Sequence, residues 1–235
     1  VQTNENSFGM MGDPVKSSSS GGADPWPNED YLNIWVCDLG NGLLGYATPP
    51  SGWISSNDGV VIGYKYFGNM GTVQPPYNKG RTATHEVGHW LNLEHTWGSG
   101  WQPCGDDNVY DTPEQEEENY GCPGFPHNVN ACAVNPDGDM FMNYMDYTND
   151  GCMNLFTNGQ KTRMLSAITQ YRSNMLNHSL CLSNPNLIVE SNRDELELIK
   201  IVDVLGRDVN RLNNFNTPLF YLYNNGFVEK KMILE

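Results

Sequence analysis

His85, Glu86 and His89 stand in the order His-Glu-x-x-His, and His95 follows six residues after His89. On a helix, His85 and His89 leave the same face one turn apart, where both rings reach one metal ion. Glu86 falls beside them, close enough to touch a water on that metal without ligating it. Three neutral imidazoles and one open position make a bound zinc catalytic rather than structural. A bare pair at this spacing also occurs by chance on exposed helix faces, but three of the five His of the chain are gathered here. His95 lies too far round an unbroken helix to join the others, so the helix must stop and the chain double back. Asn92 is the expected stopping point, because Asn tolerates the left-handed backbone of a helix C-terminus.

The elements that position these residues are legible in part. Tyr31–Cys37 alternates and then becomes continuously apolar, as a central strand does. Gly42–Ala47, bounded by Pro49 and Pro50, reads as a short edge strand, and Asp58-Gly59 followed by Val60–Tyr64 as a turn and a strand. The metal-binding helix is expected from Gly80 or Arg81 to Leu91 or Asn92. From His95 to about Phe156 there is little periodicity and much Gly, Pro, Asn and Asp, with four of the six Cys inside; disulfides or a bound cation would replace secondary structure there. Thr157-x-x-Gln160 is a capping-box signal, and Met164, Leu165, Ile168, Tyr171, Met175 and Leu176 form one apolar face of a helix running to about Asn177. The first 30 residues are rich in Gly, Ser, Asn and Pro, with Ser17–Gly22 a flexible surface loop.

The 235 residues are 38% hydrophobic, enough for one good core and a small second one. No apolar run approaches the length of a membrane span, and no signal peptide is visible; the chain opens at Val1 without Met, as a processed or truncated piece would. The net charge of −15 argues against nucleic acid or an anionic membrane as partner. No Lys or Arg lies between Arg81 and Lys161, while Asp106, Asp107, Asp111, Glu114, Glu116, Glu117 and Glu118 crowd one stretch. These acids make a solvated loop, hold calcium through hard oxygen ligands, or draw in cationic peptides. Six dispersed Cys favour disulfides, and therefore export, over a structural zinc site. Fifteen pairings are open. After Ser183-Asn184-Pro185 the pattern changes: Leu196, Ile199, Ile201, Val202 and Val204 suggest a strand, Leu205-Gly206-Arg207 a turn, Leu219–Tyr223 a second strand. Asn225-Gly226 is a hairpin signal before a third strand, Phe227–Leu234. Residues 183–235 thus read as a small β module, the alternative being a final hairpin of the main domain.

Thr84–His95 resembles the metzincin zinc-peptidase signature, with Asn92 at the turn where Gly is usual. Met140–Tyr147 resembles the Met-turn of that clan, whose Met, here Met145, sits beneath the three His. Gly80-Arg81-Thr82, Asp111-Thr112-Pro113, Asn143–Tyr147 and Cys152–Thr157 together resemble the pappalysin, or cytophagalysin, family, and the likeness covers residues 1–182. It implies an α+β fold: a twisted mixed sheet and the zinc helix above, an irregular disulfide-rich half ending in a helix below, and the cleft between them. It also implies disulfides Cys104–Cys132 and Cys122–Cys152, leaving Cys37–Cys181 by exclusion, and a structural calcium in the loop after the third His, near Asp106, Asp107 and Asp111. The family's proregion, leading strand and long helix would precede Val1. Ile201–Arg207 and Gly226–Lys231 are similar to the β-sandwich sorting domain of type IX secretion cargo in Bacteroidetes. That likeness implies a secreted or cell-surface protein, exported through a Gram-negative periplasm by way of this module.

The function expected is a monomeric secreted zinc endopeptidase acting on extracellular proteins or peptides. His85, His89 and His95 would hold Zn²⁺, Glu86 would be the general base, and Tyr147, two residues after Met145, would ligate zinc at rest or donate to the oxyanion. Substrate would pair with the edge strand at Leu43, Leu44, Gly45, Tyr46 and Ala47, and Asp150 would receive a basic side chain, unless Gly151 opens the pocket instead. The competing reading is a catalytically inactive secreted binding protein on the same scaffold.

Overall fold

A computed structural model describes residues 5–40, 42–52, 55–100, 104–132, 135–176, 198–203, 208–209, 218–223 and 228–232. The chain divides into two compact units, Val1–His178 and Ser179–Glu235.

The first unit is built on three strands, β1 (Ile34–Cys37), β2 (Gly45–Ala47) and β3 (Val60–Gly63), in the order β1-β3-β2. β3 runs parallel to β1 and antiparallel to β2. Its Val-Val-Ile run suits the pleated centre of a sheet, and Val60, Val61 and Ile62 are fully buried. Successive side chains of a strand face opposite ways, so β3 supplies both cores. Val61 packs with Phe8, Val15, Trp35 and Leu39, whereas Val60 and Ile62 meet Trp90 and half-buried Ala83, Val87, Leu91 and Met175. The expectation of a central strand at Tyr31–Cys37 is corrected. Among the described residues β1 pairs with β3 alone, and its Ile34 and Val36 are about 44% and 43% exposed; an apolar run cannot tell an edge strand from a central one.

Helix α1 (Arg81–Trp90) carries the His-Glu-x-x-His segment against this sheet. It starts after Gly80, whose φ of 77° is easily reached only without a Cβ. It ends in a left-handed turn at Asn92, φ 72°. Leu93 N donates to Gly88 O and Asn92 N to His89 O, both at 2.9 Å, the paired bonds of a Schellman motif with Asn in the usual glycine place.

Between α1 and helix α2 (Asn158–Tyr171) no helix or named strand occurs among the described residues. Polar groups and disulfides do the ordering. Buried Asp146 accepts from Asn119 N, Asn119 Nδ2, Gln115 Nε2 and Tyr147 N. Cys104 is bonded to Cys132 and Cys122 to Cys152. Thr157 and Gln160 close the capping box of α2, and Gln160 also exchanges two amide hydrogen bonds with buried Asn143. The apolar face expected on α2 is only partly used: Leu165 and Leu176 are more than half exposed, and the fully buried positions are Gly159, Gln160 and Ala167. The helix stops at Tyr171 and a 3-10 turn follows at Ser173–Leu176. Arg172, between them, is buried. Its guanidinium lies 2.7 Å from Asp58 Oδ1 and over the Trp90 ring, whose Nε1 donates to Asp58 Oδ2 at 2.8 Å. This triad joins the end of α2, the end of α1 and the turn before β3. Nor is Ser17–Gly22 a loose loop: Ser18–Ser20 form a 3-10 turn, and Asp24 accepts from Ser18 N and Oγ.

The second unit contains an antiparallel sheet of β4 (Leu198–Val202), β5 (Pro218–Tyr223) and β6 (Val228–Met232), in that order. Val202, Leu219 and Tyr221 are buried in it. The turns expected at Leu205–Arg207 and Asn225-Gly226 lie outside the described residues.

Arg172→Ala leaves the Asp58 carboxylate buried without its cation, a loss that typically costs about 3–5 kcal/mol. Urea unfolding should show a drop of that order, and Asp58→Ala added to it should cost much less than the sum of the two single substitutions. Additive effects would mean that the pair does not hold the helices together.

Candidate active site and metal centre

α1 presents His85 and His89 on one face, and the reversal at Asn92 returns His95 to them. The Nε2 atoms lie 3.0 Å apart for His85 and His89, 3.0 Å for His89 and His95, and 3.3 Å for His85 and His95. His85 Nδ1 stands 2.8 Å from Tyr144 O, and His89 Nδ1 2.8 Å from Leu93 O. A carbonyl can only accept, so each Nδ1 carries the proton and each Nε2 offers a lone pair. Lone pairs converging this closely repel one another unless a cation lies among them. Two nitrogens bound tetrahedrally at about 2.05 Å would stand about 3.3 Å apart, close to the spacing observed. Burial keeps all three imidazoles neutral: His85 is held well below its usual pKa by burial and then by its two neighbours, His89 is lowered by burial, and His95 is pushed down to about 3. Among the described residues these three form the one cluster of three or more His, Cys, Asp or Glu with ligand atoms within 4.8 Å.

Met145 is fully buried beneath α1. A Cβ on Gly88 would come within 2.5 Å of its sulfur, so a glycine there is what lets the loop approach the helix. Met145 O accepts from Thr96 N, and Asn143 Oδ1 from Met145 N. Tyr147 Oη stands 3.1 Å from His95 Nε2. Burial, and then the nearby Glu86, push the Tyr147 phenol up to about 12. Trp97, which the sequence reading does not single out, stacks on His95 at 4.4 Å and meets Tyr147 edge-on at 4.8 Å.

Glu86 is buried, and burial pushes its carboxyl up to about 8. Strand β2 lies against it: a Cβ on Gly45 would fall 2.9 Å from Glu86 Cγ and 3.1 Å from Oε1. Glu86, His85, Leu43, Gly45, Tyr147 and Asp150 line one cleft of about 240 Å3. Of the five expected edge-strand residues, Leu43, Leu44 and Gly45 line it. Tyr46 instead packs in the core and bonds Asp13 through its hydroxyl, and Ala47 packs towards Trp90. Asp150 Oδ2 accepts from Lys79 N at 2.6 Å and Arg81 N at 3.2 Å, so one oxygen is committed to the start of α1. Tyr77, Arg81 and Tyr120 also line the cleft, unforeseen from the sequence.

The three loop acids are not gathered together. Asp111 accepts from Thr157 Oγ1 and Gly159 N at the start of α2, and Asp106 from Asn108 N in its own turn. Asp107 is buried; its Oδ1 accepts from Thr112 Oγ1 and Val109 N, and its Oδ2 has no partner. Cys37 is a free thiol, its pKa raised to about 11 by burial, while Cys181 lies outside the described residues.

Among curated proteins, the chain is 41% identical over 142 residues to an extracellular metalloprotease of Verticillium alfalfae, covering 59% of this chain and 50% of that one. It is 43% identical over 147 residues to an extracellular metalloprotease of Sordaria macrospora, covering 61% and 50%. The chain therefore spans about half the length of these curated relatives. Among solved structures it resembles mature mirolysin of Tannerella forsythia in complex with a cleaved peptide, with a TM-score of 0.73, 51% identity, and 78% of this chain and 70% of that one covered. It also resembles a promirolysin mutant of the same organism, with a TM-score of 0.72, 50% identity, and 78% and 61% covered. The family model Peptidase_M43, pregnancy-associated plasma protein-A, matches residues 16–169, well over half of the sequence and the whole of the His and Met-turn stretches, and the chain belongs to that family.

Proposed function

We propose that the chain is the catalytic part of a secreted zinc endopeptidase, with His85, His89 and His95 holding the metal and Glu86 acting as general base. The observation that carries this is the convergence of three Nε2 atoms at the edge of the cleft that Glu86 also lines. Relatives named as extracellular metalloproteases, and a neighbour solved with a cleaved peptide, support the substrate class. Bound zinc would supply a Lewis acid that brings the pKa of a water to about 7 and polarises a carbonyl.

Each remaining step belongs to the chain itself. Glu86 takes the proton of the attacking water on its carboxylate and returns it to the leaving amine nitrogen, so the amide bond is replaced by a carboxylic acid and an amine with the proton balance closed. Burial raises the basicity of the Glu86 carboxylate, which favours its taking the proton. Tyr147, kept protonated by burial, donates its hydrogen to the oxygen that gains charge. The backbone at Leu43–Gly45 pairs with an extended substrate. Asp150, with Oδ1 not committed to α1, attracts a basic side chain in the same cleft. A calcium ion would fit the unpartnered Asp107 Oδ2 beside Thr112 and the Val109 carbonyl. Export through the C-terminal module, by type IX secretion from a Gram-negative cell, rests on the sequence resemblance together with the β4-β5-β6 sheet. No observation favours the inactive binding-protein reading.

Glu86→Gln should retain zinc one to one and lose about 10³-fold or more in kcat on a mixed peptide pool. Tyr147→Phe should lose about 10–100-fold, mostly in kcat, because it removes one donor among several. Activity in Glu86→Gln within tenfold of wild type would overturn the assignment. Chelation should abolish turnover and lower the Tm, and zinc should restore both. Stability of the chelated protein should also depend on pH through Glu86. Its folded pKa of about 8 exceeds the ordinary 4.5, so folding retains a proton that the unfolded chain gives up. The resulting stability is complete below about pH 4.5 and is lost as pH rises through 8. Metal-free Glu86→Gln lacks this loss, so its Tm relative to metal-free wild type should rise between pH 5 and 8.5, by on the order of 10 °C. A constant difference would contradict the buried, neutral carboxyl.

A further inference from the structure

On the irregular half of the first unit lies a second groove, of about 570 Å3, that shares no lining residue with the catalytic cleft. Met140, Met142, Tyr110 and Phe125 are its large apolar lining residues. Tyr110 is 87% exposed and Phe125 61%. Leaving two such rings in water forgoes hydrophobic stabilisation that burial would supply, and aromatic side chains of this kind are what dominate binding energy when a partner covers them. Methionine in such a lining adapts to varied apolar shapes.

The walls are held in place before anything binds. Tyr110 sits between Val109, whose amide bonds the Asp107 carboxylate, and Asp111, whose carboxylate caps α2. The opposite wall is fixed by Asp139 N donating to His127 O at 2.7 Å, and by the Asn135 amide donating to Gly138 O. Charge supplies the second half of the specificity. Exposed Glu114 and Asp137 line the groove from separate loops, and no Lys or Arg is among its lining residues. Along the chain, the lining residue Met142 is followed directly by Asn143–Tyr147, the loop that lies under and beside the three His.

We propose that this groove is an exosite that takes a segment of the protein substrate in which basic residues alternate with large apolar ones, the apolar side chains packing on Tyr110, Phe125 and the two Met, and the cations meeting Glu114 and Asp137. The assignment of the segment to a substrate rests on the peptidase reading; the binding itself does not.

The test uses the full chain as Glu86→Gln, which does not consume the probe. Fluorescence anisotropy measures binding of a labelled Gly-Lys-Phe-Lys-Leu-Lys-Gly peptide, against Gly-Lys-Ser-Lys-Ser-Lys-Gly and Gly-Glu-Phe-Glu-Leu-Glu-Gly. The basic-apolar peptide should bind at least tenfold more tightly than either control. Both Tyr110→Ser with Phe125→Ser and Glu114→Gln with Asp137→Asn should erase that difference while the Tm stays unchanged. Equal binding by all three peptides, or preference retained in both groove variants, would overturn the exosite. In the active protein, joining the same segment through a flexible linker to a cleaved sequence should lower KM about tenfold. The groove variants should lose this gain and keep kcat/KM on the short peptide. Peptide preference lost in the groove variants but no gain in KM would remove the substrate assignment. A dimer in sedimentation that the groove substitutions dissociate would assign the surface to a second copy of the chain instead. Absence of any hydrolysis would sink the peptidase reading, and the anisotropy result would still decide whether the groove binds.

Discussion

Three imidazole Nε2 atoms brought within 3.3 Å of one another are the constraint on which the first unit depends. They cannot be gathered by a helix alone: α1 supplies two, and the third requires the chain to reverse within six residues. That reversal is made by backbone hydrogen bonds to Gly88 and His89 and by a left-handed Asn92. Two other carbonyls orient the rings: Leu93 O, just past the turn, fixes the tautomer of His89, and Tyr144 O, from the loop beneath, fixes that of His85. Bringing that loop so close requires Gly88, because any side chain there would collide with Met145. One set of backbone choices thus gathers the three His and brings the Met145 loop against the helix.

Beneath and around the site the packing is mostly polar. Asp146, Asn119, Gln115, Asn143 and Gln160 are buried and bonded to one another or to nearby backbone. Such networks hold directional geometry that an apolar core would leave looser. Apolar packing is left to β3 and to the side of α1 that faces it, where the Arg172–Asp58–Trp90 triad closes the end of the helix. The His95–Trp97–Tyr147 stack links the third His to the phenol that stands over it. A shift at any one of these positions would move the others.

Residues whose roles follow from local spacing were readable from the sequence. The i, i+4 pair, the left-handed Asn92 and the Thr157–Gln160 capping box all follow from backbone geometry within a few residues. What long-range pairing decides was not readable. Tyr31–Cys37 has the composition of a central strand but lies at an edge, since only the partner strands fix which strand is covered. Leu165 looks like core on a helical wheel but faces water, because α2 is anchored by the polar contacts of Asp111, Asn143 and Gln160 rather than by its apolar stripe. Trp97 carries no spacing signal, since stacking on His95 depends on the reversal that precedes it. Asp106, Asp107 and Asp111 are adjacent in sequence yet serve a turn, a buried bond and a helix cap, which charge counting cannot separate.

The most direct test of the account is X-ray absorption at the zinc edge of the zinc-loaded protein. Three imidazole nitrogens at about 2.0 Å with one or two oxygen ligands are the expected shell. Sulfur scattering at about 2.3 Å, or fewer than three imidazoles, would contradict a catalytic site built from His85, His89 and His95.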